Sequence, residues 1–334
     1  MTHRSDGVSP DHSFGTQTSH RSEMLARVAC LYYEEGLTQE QISNQMGYSR
    51  SYVSRMLTEA RQEGIVEIFV HHPLERVFAL EQSLQKVFKL NEVCVLKSKD
   101  LTYSQMLTRL GGLGSRLLLQ NITDQSIIGI SWGNALFEVG NALTFHNYPK
   151  VKIIQLIGSA TSQEHQVDGP GLARLFAYKL NGQYYTLAAP WLVVSKEIRD
   201  ALLREKRMHD VLEVMKKVDL ALVGIGSIDL SICSLIRAGF LTTDEASDLA
   251  KMGVVGDVCG HHFDINGNLM EIPLAGYAFG IDTTTLSSIP LVIGVAGGSV
   301  KAPAILGALR ARLINTLVTD ENAAQVILKL CRTS

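Results

Sequence analysis

The sequence predicts an α/β protein in two parts: an N-terminal winged helix-turn-helix and a larger C-terminal body built on a mostly parallel sheet. Three observations predict this. Short helical segments between Arg21 and Gly64 carry cap residues at their starts and glycines at their ends. From Glu92 onward, short apolar runs alternate with helical segments. Several of those runs end in loops of small residues. The 334 residues suffice for about two domains at ~150 residues each, with ample chain for a core.

Charge narrows the function classes. Lys and Arg number 31 against 33 Asp and Glu, so a basic nucleic-acid coat protein and a polyacidic tail are both excluded. A small DNA reader is not, because base readout needs only a few residues on one face. Cys30, Cys94, Cys233, Cys259 and Cys331 form no CxxC pair. That argues against a disulfide framework or structural zinc and fits a reducing cytoplasm. Residues 1–20 are polar and broken by Gly7, Pro10 and Gly15, with no apolar signal core, so a disordered tail is expected. No uncharged apolar run reaches the ~18 residues of a membrane span. The nearest, Leu220 to Ile236, contains Asp229.

In residues 21–73, Met24, Leu25, Val28, Leu31 and Tyr32 recur at helical spacing before Gly36. Thr38 caps a second helix, and Gln41 completes a capping box. Ile42 and Met46 point inward and Gly47 ends the helix. Ser49 caps a third helix with Val53, Met56, Leu57 and Ala60 inward, ending at Gly64. Ser43 stands where many such motifs carry Ala. The β-prone run IVEIFV at residues 65–70 reads as a reduced wing. Two short helices around a glycine turn, packed on a first helix, make a helix-turn-helix.

That burial leaves Arg50, Ser51, Tyr52, Ser54 and Arg55 outward at the start of the third helix, where a recognition helix reaches base edges. Arg suits guanine, and Ser or Tyr suits phosphate or a base edge. Thr38, Gln39 and Ser49 join the candidate DNA contacts at helix N-termini, which favour phosphate. The module holds five Arg, no Lys and seven Glu, so a three-helix protein-interaction domain stands as the alternative. Arg50, Arg55 and Arg61 oppose only Glu59 on the third helix, which concentrates positive charge on the reading face.

Pro73 breaks the chain. Residues 74–91 read as a connecting helix, with Val77, Leu84 and Phe88 near one face. It is too short to sustain a free coiled coil. In the body, strands are expected at 92–96, 127–131, 151–157, 184–188, 220–224 and 291–295, and helices at 167–180, 243–252 and 301–313. Alternation of this kind makes a parallel sheet covered on both faces, with ligands beyond the carboxyl ends of its strands.

The small-residue loops lie at those strand ends. They place Trp132, Gly133, Asn134, Gly158, Ser159, Gly226, Gly297 and Gly298 as candidate ligand contacts, with Lys301 as a point charge. There is no GxxxxGK[ST] loop, and Asp229 occupies the third glycine position of a dinucleotide fingerprint, so no cofactor is expected. In VGDVCGHHFDINGN, residues 255–268, His261, His262 and Asp264 are near neighbours in sequence. Such side chains rarely converge on one ion, so no metal is expected. Asp257 and His262 are instead candidates for bonding ligand hydroxyls, with His165 and Asp168 as weaker ones. Trp132 suits either stacking on a ligand or a place in the core.

These motifs resemble the SorC family of bacterial transcriptional regulators, sometimes grouped with DeoR, over about residues 24–330. The resemblance rests on TQEQISNQMGYSRSYVSRMLTEARQEGIVEI at the front. In the body it rests on GISWGNAL, QLIGS, VGIGS, VGDVCGHHFD and IPLVIGVAGGSVKAPAILGALRARLINTLVTDENAA. It implies a body similar to sugar-phosphate isomerase and deaminase folds that has become a sensor. It implies operator DNA, self-association as dimer or tetramer through residues 92–334, and a sugar, polyol or sugar-phosphate effector in that same region. It points to Asn134, Asp257 and Lys301 as pocket residues. Some phosphosugar-binding relatives carry Thr-Thr and an Arg near the first two loops. Here those stretches read Gly133-Asn134-Ala135 and Leu156-Ile157-Gly158. A neutral sugar, a polyol, or a monophosphate reached by Lys301 is therefore favoured over a bisphosphate. The expectation is a cytoplasmic regulator without catalytic residues. An active isomerase or deaminase, with Asp257 and His262 as an acid–base pair, is the open alternative.

Overall fold

The computed structural model describes residues 14–66, 74–159, 168–193, 195–272 and 278–333. The chain forms two compact units, Met1–His72 and Pro73–Ser334.

In the first unit, α1 (Phe14–Tyr33), α2 (Gln39–Met46) and α3 (Arg50–Gln62) enclose one core. Leu25, Val28, Ile42, Val53, Met56 and Ala60 are its fully buried members. The Thr38 hydroxyl accepts from Gln41 N, and Gln41 Oε1 accepts from Thr38 N at 2.8 Å, the reciprocal pair of a capping box. Gly47 ends α2 at φ 71°, in the left-handed region that glycine enters without penalty. Ser43 turns its departure from Ala to use: its hydroxyl donates to Tyr48 O at 2.5 Å and closes the turn. The first helix begins at Phe14, inside the expected tail, because extending an established helix adds a hydrogen bond for each residue ordered. The wing from residue 67 and Pro73 lie outside the described residues.

In the second unit, seven parallel strands form a sheet of order β1-β10-β9-β5-β2-β3-β4. They are β1 (Glu92–Leu96), β2 (Ile127–Ile130), β3 (Lys152–Gln155), β4 (Gln183–Tyr185), β5 (Leu220–Gly224), β9 (Leu291–Val295) and β10 (Thr316–Asp320). All neighbouring pairs run parallel. A small antiparallel sheet holds β6 (Gly226–Ser227), β7 (Val254–Val258) and β8 (His261–Asp264). Cys259 and Gly260 join β7 to β8, both at positive φ, as a two-residue hairpin turn requires.

Strands β2, β3 and β4 step one way across the sheet, and β5, β9 and β10 step the other. Strands β2 and β5 are adjacent. This is the doubly wound order 3-2-1-4-5-6 with β1 added at one edge. Apolar layers cover both faces, one centred on Val223, Ile305 and Leu317, the other on Ile128, Leu110 and Phe176.

The connecting segment is part of this unit. Helix α4 (Phe78–Phe88) packs on β1, and on α14 (Glu321–Thr333). Its buried Glu81 accepts from Arg76 Nε at 2.7 Å, from Arg76 Nη2 at 3.0 Å and from Val95 N at 2.8 Å. Removing one partner of a buried pair costs ~3–5 kcal/mol. The Arg76 side chain is 30 % exposed, so Glu81→Ala should cost less, about 2 kcal/mol. The urea midpoint of this unit should fall accordingly, and Glu81→Gln should recover part of the loss.

Candidate functional site

Each unit carries one site. On the helical unit, Arg50, Ser51, Ser54 and Arg55 are exposed along the first turns of α3. Arg50 shares an open depression with Thr38 and Gln39 at the start of α2. The depression thus brings the two helix starts together, with Glu40 facing it beside Arg50. Ser49 is spent as the cap of α3, accepting from Tyr52 N at 3.2 Å. Tyr52 departs from its expected outward position. It is half-buried, its hydroxyl accepts from Arg21 Nη1 at 2.8 Å, and its ring meets Tyr48 edge-on at 5.2 Å.

On the larger unit, a pocket of about 310 Å³ opens where β2 and β5 part. That volume lies within the ~300–1,000 Å³ of small-molecule sites. Trp132, Gly133 and Asn134 reach it from β2 and the start of α6 (Asn134–Ala142). Gly224, Ile225 and Gly226 reach it from β5, and Ala296 and Gly297 from β9. Asp257 enters from β7, and Lys301 from the 3-10 turn Ser299–Lys301. Ser131 Oγ accepts from Gly224 N at 3.0 Å, tying the two diverging loops across the crevice. Gly226 leaves room for the Asp257 carboxylate, since a Cβ there would push Asp257 Oδ1 aside.

The pocket is charged. Lys301 Nζ donates to Ile225 O at 2.7 Å. Burial pulls its ammonium down to about 8, against the opposing pull of Asp257. Arg237, on the short helix α10 (Ser234–Arg237), is exposed at the same pocket. Asp257 Oδ2 accepts from Gly260 N at 3.1 Å, and Asp168 Oδ1 accepts from Gly171 N at 2.8 Å as the cap of α7 (Gly169–Leu180). Each carboxylate keeps oxygen capacity for a further donor. Two cations and two carboxylates thus face one cavity among the described residues. Such a site offers cations to an anionic group and carboxylate oxygens to hydroxyls.

Of the sequence-predicted contacts, Trp132, Gly133, Asn134, Asp168, Gly226, Asp257, Gly297 and Lys301 line the pocket. Gly158, Ser159, Gly298 and His262 do not. Gly158 is packed against Trp191 and donates to Phe279 O at 2.9 Å. Ser159 N donates to Ala189 O at 3.0 Å. Gly298 N donates to the buried Asp320 Oδ1 at 2.7 Å, so it shapes the loop and leaves contact to Gly297. His262 is buried, and burial holds its pKa down. A neutral ring must then donate from Nδ1 to Gly260 O at 3.0 Å, which leaves Nε2 as an unpartnered acceptor. His165 lies outside the described residues. Tyr103, Ser234 and Arg237 also line the pocket and were not expected from the sequence. For Arg237 the signal was its place just beyond the Gly226 loop.

The family model described as "Putative sugar-binding domain" matches residues 72–329, and the model for sigma-70, region 4, matches residues 25–63. The chain belongs to the SorC family of transcriptional regulators. It is 31% identical over 320 residues to the sorbitol operon regulator of Klebsiella pneumoniae, covering 94% of this chain and 100% of that protein. It is 31% identical over 323 residues to the transcriptional regulator LsrR of Escherichia coli K12, covering 96% and 98%. The crystal structure of full-length SorC from Klebsiella pneumoniae superposes with a TM-score of 0.71 at 30% identity, covering 92% of this chain and 98% of that one. These relatives are named regulators, not enzymes, and this SorC-family chain is a DNA-binding transcriptional regulator.

Both tryptophans of the chain stand at this site, Trp132 in the pocket wall and Trp191 with its ring centre 6.3 Å away. Any small molecule that enters should therefore change the intrinsic fluorescence. Trp132→Phe should remove most of that change and Trp191→Phe should retain it, in titrations with a compound that raises the melting temperature.

Proposed function

We propose that this SorC-family chain controls a carbohydrate-utilisation operon in response to a phosphorylated sugar or polyol. The helical unit binds operator DNA through Arg50 and Arg55, with Ser51 and Ser54 on phosphate or base edges. The pocket binds the effector, which favours one of two states that differ in operator affinity, as any switch requires. The chain acts in the cytoplasm as a dimer or tetramer, as a repressor or an activator. Association is needed because the helical module is itself net acidic, and one copy offers few cations to a DNA backbone.

The observation that carries the reading is the pairing of Lys301 and Arg237 with Asp257 and Asp168 in one small pocket. The two cations suit a monophosphate, and the two carboxylates with Asn134 suit hydroxyls. Trp132 offers a ring face for a sugar. A screen of sugars, polyols and their monophosphates by tryptophan fluorescence and thermal shift tests this. Hits should be phosphorylated and should change operator affinity without turnover. A panel in which only neutral sugars bind, or in which the hit is converted to product, contradicts it.

Two further outcomes are expected. Below about pH 8 the Lys301 ammonium is charged before the anion arrives; above it, binding must take up a proton. A sugar monophosphate stays dianionic there, since its second pKa is ~6. Its affinity should be flat from pH 7 to 8 and then fall by up to about tenfold per pH unit. Lys301→Met should bind more weakly with a flat profile, measured by fluorescence titration. On the DNA side, Arg50→Ala or Arg55→Ala should each lose about 1–3 kcal/mol of discrimination between the selected operator and single-base variants in band-shift titrations. Full retention of specificity in both variants would remove the readout assignment.

A further inference from the structure

Resting on the reading of Arg55 as a base contact, we infer that Tyr52 is a positioning residue that aims the Arg55 guanidinium and does not itself touch DNA. The geometry has three parts. Arg21 on α1 donates from Nε to Glu59 Oε1 at 2.9 Å and from Nη2 to Glu59 Oε2, and from Nη1 to the Tyr52 hydroxyl at 2.8 Å. Tyr52 and Glu59 are seven residues apart, two turns along the same face of α3, so one guanidinium from α1 grips both. The Tyr52 ring is thereby fixed in orientation. Arg55, one turn on from Tyr52, places its guanidinium 5.6 Å from the centre of that ring.

Charge assigns the roles. Arg21 also lies 5.7 Å from the ring centre, but Glu59 neutralises it. Of the two cations at the ring, Arg55 is exposed and has no ion pair among the described residues, so it is the one left for the DNA. A long arginine on a helix surface samples many rotamers, and each bidentate contact must freeze them. A ring face that already holds the guanidinium removes part of that entropic cost, and cation–π attraction favours the held form.

The test uses the full-length chain and duplexes enriched by it from a random-sequence library. Point-substituted duplexes first locate the base pair at which Arg55→Ala relaxes discrimination. If there is none, the reading of Arg55 fails, independently of Tyr52. If there is one, Tyr52→Leu should lower discrimination at that base pair by about threefold, the scale of an exposed cation–π contact. Affinity for unrelated duplexes and the slope of affinity with salt should stay unchanged. In the Arg55→Ala background, Tyr52→Leu should add nothing. Tyr52→Phe keeps the ring and drops the Arg21 bond. It should lose less than Tyr52→Leu, at the same base pair, and it serves as the test if the leucine variant does not fold. Equal weakening on all duplexes, with a shallower salt slope, makes Tyr52 a phosphate contact and overturns the inference. An undiminished Tyr52→Leu effect in the Arg55→Ala background overturns it as well.

Discussion

The larger unit depends on one topological constraint: two neighbouring strands, β2 and β5, send their chains off in opposite directions. Helices that cross over on both faces of a parallel sheet can cover its faces but not the gap between two diverging loops. A crevice at that point is unavoidable, and the pocket lies there. The Ser131 hydroxyl bridges the gap by holding Gly224 N, so the crevice has a fixed width. Polar groups reach the pocket from the loops after the strands, from β7 of the small sheet, and from helix starts and the short helix α10 that carries Arg237.

Around that crevice the electrostatics are unbalanced in a useful way. Lys301 is half-buried, desolvation there destabilises its ammonium, and among the described residues the ammonium donates to a backbone carbonyl, Ile225 O. A buried cation with incomplete compensation is a cost in the empty protein. An anionic ligand relieves it, so binding gains both contacts and relief of that cost. Asp320 supports the same arrangement from below. It is buried and accepts from Ser98 Oγ and Gly298 N, each at 2.7 Å, which fixes the glycine loop that leads to Lys301.

Much of this was legible in the sequence because the signals were local. The capping box at Thr38 and the glycine at 47 mark helix ends by chemistry confined to a few residues. Short apolar runs such as LALVG and LVIGV, alternating with helical segments, read as strands buried on both faces. Strand β10 escaped because Thr316, Thr319 and Asp320 break its apolar run, although all three are buried. Their burial is a tertiary fact: Asp320 is satisfied by Ser98, which is more than two hundred residues away in sequence. Arg237 was missed because α10 is four residues long and carries no periodic pattern. Tyr52 was misplaced because helical periodicity locates a Cβ, whereas the direction of its ring is set by Arg21 from another helix.

The central claim is that occupancy of the pocket and occupancy of the DNA face are linked within one chain. Linkage has a direct signature, because coupling between two ligands is reciprocal. The measurement is a fluorescence titration of the sugar phosphate that gives the largest thermal shift, made on the free protein and on the protein saturated with its selected operator. Operator should change effector affinity by the same factor by which effector changes operator affinity. Equal effector affinity in both titrations would contradict it, and would leave a reader and a pocket that share a chain without sharing a function.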